Sequence, residues 1–288
     1  MRDSCVTVLP DGRDLGWLEV GDPEGTPIFV FHGTPGSRLQ VAIEDPRMSA
    51  SGLRLVCPDR PGYGLSTFQR GRRLVDWPRD VAYLADHLGI DHFAVMGISG
   101  GGPHSAVCAA LLSDRVSSAA IVSGVGPLAD PRAVEGMMRP NQILTGLSRR
   151  GSRIPRVVFD AMVVAQRRWP ERAFNMLLKQ LPPVDAAIVS RPEVRALLEA
   201  DALRSSRTAG AAAAQDFELF CGDWGFDLGA IQVPVHIWQG DADVNVPPHH
   251  ARLQHEAIPG SVLHEFPGEG HFMAFDHLDE ISSALKVE

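Results

Sequence analysis

The residue whose setting is best suited to chemistry is Ser99. It stands in Gly97-Ile98-Ser99-Gly100-Gly101, a G-x-S-x-G pattern. An apolar run, His92–Ile98, precedes it, and a helix-like segment, Gly100–Leu112, follows. A serine between a strand and a helix occupies a sharp, strained turn, where side chains two before and two after would collide; glycines at 97 and 101 remove them. The hydroxyl is then presented to a ligand, but it is a weak nucleophile until a base takes its proton. That base should be a histidine oriented by a carboxylate. The bland alternative is a serine in a glycine-rich turn that caps a helix. A phosphate loop is also conceivable, but no G-K-[ST] is present.

Eleven histidines compete for the role of base. His271 lies in Gly268-Glu269-Gly270-His271-Phe272, just after the last apolar run, Ser261–Phe266. A histidine in a loop at a strand's C-terminal end reaches the edge where catalytic groups collect in open α/β sheets. His264 lies within that run and reads as packed or surface. His249 and His250 follow Pro247-Pro248 and read as an exposed helix start, while His255 and His277 fall in helical patterns. The carboxylate should also follow a strand. Asp241 and Asp243 both leave the run Val233–Trp238, and Asp243 is preferred because it clears the strand end. The order Ser99, Asp243, His271 is the one that a serine on a strand-to-helix turn of this kind requires. The oxyanion formed by attack needs two N–H donors. Gly100 N–H heads a helix, and Thr34 in His32-Gly33-Thr34-Pro35-Gly36-Ser37 is the candidate for the second, since Pro35 has no N–H.

These residues need a scaffold that brings strand ends together. Pro27–His32, Leu53–Cys57, His92–Ile98 and Ala119–Val122 are short continuous apolar runs, as expected of strands buried on both faces of a parallel sheet. Between them, Asp76–Leu88 has a capping Asp, a proline in its first turn and apolar residues at helical spacing, and Gly89 ends it. Strands alternating with helices imply right-handed crossovers and a doubly wound sheet. Cys5–Val20, with Asp11-Gly12 at its turn, predicts an antiparallel hairpin at the sheet edge. From 127 to 225 the rhythm breaks into proline-punctuated, Arg- and Ala-rich segments that read as inserted short helices.

The 288 residues carry 27 Lys+Arg against 35 Asp+Glu, a net charge of −8, which argues against nucleic-acid binding. Residues 128–225 hold 14 basic and 11 acidic side chains. That segment therefore reads either as a solvated helical face or as a lid that attracts anions through Arg139, Arg149, Arg150 or Arg153. The cysteines, Cys5, Cys57, Cys108 and Cys221, are far apart and read as buried free thiols. No metal-ligand spacing is present, so no metal and no cofactor are expected. No run approaches the ~20 apolar residues of a membrane span, and the first residues have no signal-peptide pattern. A cytoplasmic protein with no membrane partner is expected, its oligomeric state open.

Together these residues resemble the α/β-hydrolase superfamily over nearly the whole chain. HGTPGS at 32–37 is similar to its oxyanion loop and DRPGYGLS at 59–66 to its turn after the next strand. GISGGGP at 97–103 resembles its nucleophile elbow, GDADVNVP at 240–247 its acid loop, and GEGHF at 268–272 its histidine loop. The resemblance implies an α/β-hydrolase fold with a mostly parallel doubly wound sheet. It implies a core of 1–126 and 226–288, with a helical cap inserted at 127–225. It also implies Ser99, Asp243 and His271 as a catalytic triad, with Thr34 and Gly100 as oxyanion donors. The expected activity is hydrolysis of a small or medium carboxylic ester or lactone, with a small-molecule ester-type substrate as partner. Proline iminopeptidases share the Pro-Gly of HGTPG, but their usual H-G-G-P-G and G-G-S-W-G differ from this chain at both places. A lyase, C–C hydrolase or oxygenase on the same fold, or a ligand receptor that retains the triad, are further alternatives. Haloalkane dehalogenases and epoxide hydrolases use Asp where this chain has Ser99.

Overall fold

Apolar runs bounded by Gly and Pro assemble one eight-stranded sheet, ordered β1-β2-β4-β3-β5-β6-β7-β8. The strands are β1 (Arg2–Val8), β2 (Asp14–Gly21), β3 (Thr26–Phe31), β4 (Leu53–Pro58), β5 (Phe93–Ile98), β6 (Val116–Val122), β7 (Val235–Gly240) and β8 (Val262–Phe266). The computed structural model describes residues 2–41, 52–204 and 208–286. β1 and β2 form the antiparallel edge hairpin, turning at Gly12 with φ +84°. β2 also runs antiparallel to β4, and every later pairing is parallel. β6 begins three residues before the apolar run Ala119–Val122 that predicts it. Ser117 and Ser118 interrupt that run, yet Ser118 is buried and donates to Leu285 O at 3.0 Å.

Helices cover both faces, which is why the central strands are apolar on both sides. On one face α1 (Trp77–His87) and α2 (Gly102–Leu111) bury Trp77, Leu84 and Val107 against Phe31 and Val95. α9 (His249–Ala257) belongs to the same layer through Ala251. On the other face α10 (Ala274–Ala284) sets Ile281 against Val30 and Met96. Asp76 precedes α1 but does not cap it: its carboxylate accepts the N–H of Arg73 at 2.8 Å, closing a preceding 3-10 turn. Of the four free thiols, Cys57 and Cys108 are buried, whereas Cys5 and Cys221 are half-buried.

Between β6 and β7 the chain builds α3 (Arg139–Ser148), α4 (Arg153–Arg168), α5 (Pro170–Gln180), α6 (Pro183–Val189), α7 (Pro192–Arg204) and α8 (Ala209–Cys221). Five of them carry a proline among their first three residues, where its fixed φ suits the first turn and its missing N–H costs nothing. α8 is the exception. Its alanine run, Ala211–Ala214, is buried because small side chains let it approach Tyr63 and Phe159 closely. His250, at the start of α9, is buried rather than exposed. Its Nδ1 accepts Gly126 N–H at 2.9 Å and its Nε2–H donates to Ala133 O, so it ties the start of the inserted segment to the core. Burial lowers its pKa to about 4, which keeps it neutral for that acceptor role.

Candidate active site

β5 ends at Ile98, and the chain turns at Ser99 with φ +54°, a left-handed conformation that costs a non-glycine residue ~1–3 kcal/mol. The flanking glycines make this possible by direct sterics. A Cβ on Gly97 would lie 2.2 Å from Gly101 O, and one on Gly101 would lie 2.1 Å from Phe31 O. Both collisions are with backbone, so no rotamer relieves them. The turn lifts Ser99 Oγ to 3.1 Å from His271 Nε2. His271 Nδ1–H donates to Asp243 Oδ2 at 2.7 Å. Three residues that are 172 and 28 positions apart in sequence are thus one hydrogen-bonded chain.

Asp243 is buried and fixed from behind. Its Oδ1 accepts the N–H groups of Asn245 and Val246 at 2.8 and 2.9 Å, and Gln239 Nε2 donates to Oδ2 at 3.3 Å. Asp241, the other carboxylate of the loop, is exposed and accepts Gly268 N–H at 2.6 Å instead. Burial disfavours the imidazolium of His271. The charge and hydrogen bond of Asp243 outweigh that, with help from Asp185, so its pKa stands above the ordinary value.

Thr34 and Gly100 face one another beside Ser99. A Cβ on Gly100 would lie 2.2 Å from Thr34 Oγ1 and 3.1 Å from Thr34 N. Only glycine permits this approach, which brings the main chain of Gly100 close to that of Thr34. Both residues, with Ser99 and His271, line a cavity of about 840 Å³, within the roughly 300–1,000 Å³ common for small-molecule sites. Its walls are mostly apolar, with Met137, Leu144, Phe174, Phe217 and Phe272 among them. Val125 also lines it, whereas Trp224 packs in the core. Among the described residues no Lys or Arg lines the cavity; its carboxylates are Glu199 and Asp201. Arg139, Arg149, Arg150 and Arg153 are exposed and lie outside it, as the solvated-face reading of that segment has them and the anion-attracting alternative does not. Among the described residues no group of three or more His, Cys, Asp or Glu is arranged to hold a metal ion.

The sequence pattern of the alpha/beta hydrolase fold matches residues 26–278. The chain belongs to that family. It is 27% identical over 282 residues to the uncharacterized hydrolase YcgS of Bacillus subtilis, covering 95% of this chain and 93% of that protein. It is 32% identical over 120 residues to the bifunctional esterase/perhydrolase DCH of Acinetobacter calcoaceticus, 41% of this chain and 44% of that one. A thermophilic esterase from Thermogutta terrifontis, solved with malate bound, has the same fold with a TM-score of 0.69 at 20% identity, covering 98% and 96% of the two chains.

In this alpha/beta hydrolase, two acidic residues beside the site carry no sequence signal. Asp216, on α8, is fully buried. Its Oδ2 accepts Thr34 Oγ1–H at 2.7 Å, Tyr63 OH at 2.7 Å and Arg60 Nη1–H at 2.8 Å, while Oδ1 accepts from Arg72. Burial alone would raise its pKa, but Arg60 and Arg72 hold it well below the usual carboxylate range. Arg60 Nη2 also donates to Thr34 Oγ1 and to Gly33 O, so the loop that offers Thr34 N–H is clamped from beneath. Asp185, on α6, is buried against the histidine loop and accepts Phe272 N–H at 3.0 Å. A Cβ on Gly270 would meet its carboxylate at 2.3 Å, which accounts for the glycine before His271. Arg60 and Tyr63 belong to the DRPGYGLS turn. Asp216 and Asp185 are single acids in helices far away in sequence, and only folding pairs them with the site.

Proposed function

We propose that this protein is a cofactor-free serine hydrolase that cleaves a small or medium carboxylic ester or lactone through an acyl-enzyme. The observation that carries the reading is the hydrogen-bonded chain from Asp243 through His271 to Ser99, opening onto a largely apolar cavity. In this reading α3–α8 act as a cap over a core of 1–126 and 226–288.

Ser99 Oγ attacks the carbonyl carbon as its proton passes to His271 Nε2. Asp243 keeps Nδ1 protonated, so Nε2 is free to accept, and it stabilises the imidazolium that forms. Negative charge develops on the carbonyl oxygen, where Gly100 N–H and Thr34 N–H receive it; preset donors of this kind contribute about 3–4 kcal/mol each. His271 then protonates the departing alcohol, or the ring oxygen of a lactone. Water enters, gives a proton to His271 and attacks the acyl carbon. Collapse of the second tetrahedral species releases the acid and returns the proton to Ser99. The apolar walls favour an uncharged, hydrocarbon-rich acyl or alcohol group. The similarity to an esterase/perhydrolase over 120 residues supports an ester as the bond cleaved.

One observation favours a second reading, an aminopeptidase. Glu199 and Asp201 lie on the wall of a cavity with no cation among its described lining residues, a setting that suits a substrate amine. The net charge of the inserted segment is therefore a poor guide to what the cavity accepts. Against this, Glu199 already pairs with Arg195 at 2.7 Å, and Asp201 accepts from Ser37. Burial pushes the Asp201 carboxyl up to about 7, so much of it is neutral at physiological pH.

The test is labelling with a fluorophosphonate probe, mapped by peptide mass spectrometry, followed by a panel of esters, lactones, thioesters and aminoacyl amides. Labelling at Ser99 that is lost in His271→Ala and Asp243→Ala, with turnover of esters, supports the proposal. Turnover of aminoacyl amides alone favours the aminopeptidase. Folded protein that resists the probe and hydrolyses nothing overturns both and leaves a lyase or a ligand receptor.

A further inference from the structure

A helix on a protein surface normally buries one apolar stripe and exposes a polar face. α4 has two apolar stripes. Pro155 and Phe159 form the first and are buried, with Phe159 packed on Phe217 of α8 at a ring-centroid separation of 5.4 Å. Ile154, Val157 and Val164 form the second, and it points outward, Val157 with 69% of its surface exposed, while Met162, two turns on from Pro155, is part exposed at the edge between the stripes. Trp169 and Met176, in and just before α5, extend the patch. Among the described residues, ten of the fifteen exposed large apolar side chains lie between 143 and 203. Met162 and Met176 also line the cavity, so the outer patch runs continuously into the site. An apolar surface of this kind marks something that covers it.

Charge selects the occupant. Residues 139–180 contain nine Lys+Arg and two Asp+Glu, in a chain whose net charge is −8. Arg150, Arg153, Arg168 and Arg172 are exposed around the apolar stripe. A second copy of this basic face would be repelled by the first. An anionic surface would be attracted, and helices with basic flanks and an apolar stripe lie in the headgroup region of such membranes. No described helix is long and apolar enough to cross a membrane, so the contact would be peripheral.

We propose that the outward face of α3–α5 docks on an anionic phospholipid bilayer, so that apolar esters reach Ser99 directly from the lipid. The docking stands on the exposed face alone; the delivery of esters rests on the reading of the site given above. It also revises the expectation of no membrane partner, which considered only spanning segments. The experiment is co-sedimentation with extruded vesicles of phosphatidylcholine alone or of phosphatidylcholine and phosphatidylglycerol at about 3:1. Wild-type protein is expected to bind the anionic vesicles at least about tenfold more, and to release them between about 50 and 500 mM salt. Ile154→Ser/Val157→Ser/Trp169→Ser should lose binding to both by about tenfold while turning over a water-soluble short-chain ester within twofold of wild type. Arg153→Glu/Arg168→Glu/Arg172→Glu should lose only the preference for anionic vesicles. The Ser99→Ala protein should bind as wild type does, which separates docking from turnover. Failure of wild type to bind either vesicle overturns the proposal. So does binding that survives both triple variants. A dimer, seen by sedimentation velocity and dissolved by the serine variant, also overturns it and assigns the face to a second copy.

Discussion

Asp216→Asn removes one negative charge from between Arg60 and Arg72 while keeping the shape of the side chain. All three groups are buried, and Asp216 is the carboxylate that both guanidiniums share. Taking one partner from a buried ion pair leaves an uncompensated charge, at about 3–5 kcal/mol. Total stability is commonly about 5–15 kcal/mol, so the variant should fold but melt early. At about 2–4 °C per kcal/mol, Tm should fall by roughly 6–20 °C. Because Asp216 is held ionised in the folded state, its contribution is present at neutral pH, above its unfolded pKa, and is lost as pH falls through the depressed folded value. The difference between wild type and variant should therefore narrow in acid. The carboxylate also accepts Thr34 Oγ1–H, so the variant should loosen the loop that holds Thr34 N–H. Removing an oxyanion donor outright costs about 10²–10³ in kcat, so a partial shift should cost about tenfold, with KM little changed. The assay is urea denaturation with steady-state kinetics, repeated for Arg72→Met and for the double variant. The Arg72–Asp216 pair is broken in either single variant, so the double should be less destabilised than their sum by more than about 1 kcal/mol. A loss below about 1 kcal/mol in Asp216→Asn, or strict additivity, would refute the view that this buried cluster holds the loop.

Three further outcomes are expected. Activity should decline in acid as His271 gains its proton, at a pH above its ordinary value near 6.5; in Asp243→Asn that limb should move to lower pH, and kcat should fall by about 10³–10⁴, both read from a pH–rate profile. Asp201→Asn should raise stability at pH 8 by up to about 4 kcal/mol, because a carboxyl whose folded pKa is raised to about 7 loses stability between its unfolded value and that pH; the gain should vanish near pH 4, and denaturation at the two pH values checks it. Gly100→Ala should lower kcat by about 10²-fold or more, because its Cβ would lie 2.2 Å from Thr34 Oγ1, which Asp216 and Arg60 hold in place; unchanged kcat in a folded variant would contradict the placement of these two donors.

The strands of the sheet, the turn at Ser99 and the loop of His271 were legible in the sequence because each is a local pattern. A continuous apolar run means a strand buried on both faces, and Gly97 and Gly101 around Ser99 answer to backbone collisions within a few residues or one strand away, whereas Gly270 before His271 answers to the distant Asp185 carboxylate. The elements that failed to announce themselves were those whose burial is decided from a distance. Ser118 joins β6 although serine breaks the apolar run, because Leu285 O lies within reach. His250 looks exposed after two prolines and is buried, because the inserted segment folds over it. The choice between Asp241 and Asp243 could be argued from spacing, but the loop's path in space puts one carboxylate on His271 and the other on Gly268. The arginines of 127–225 could be counted, but whether they face the cavity or the solvent depends on helix rotation, which packing sets. Asp216 and Asp185 lie furthest beyond the sequence's reach. A lone acid in a helix has no pattern of its own, and its role comes from partners up to 182 residues away. Chain order and residue type determined the sheet and the chemical groups; only tertiary packing determined which carboxylates are buried, what they hold, and that an apolar, basic face was left uncovered beside the cavity.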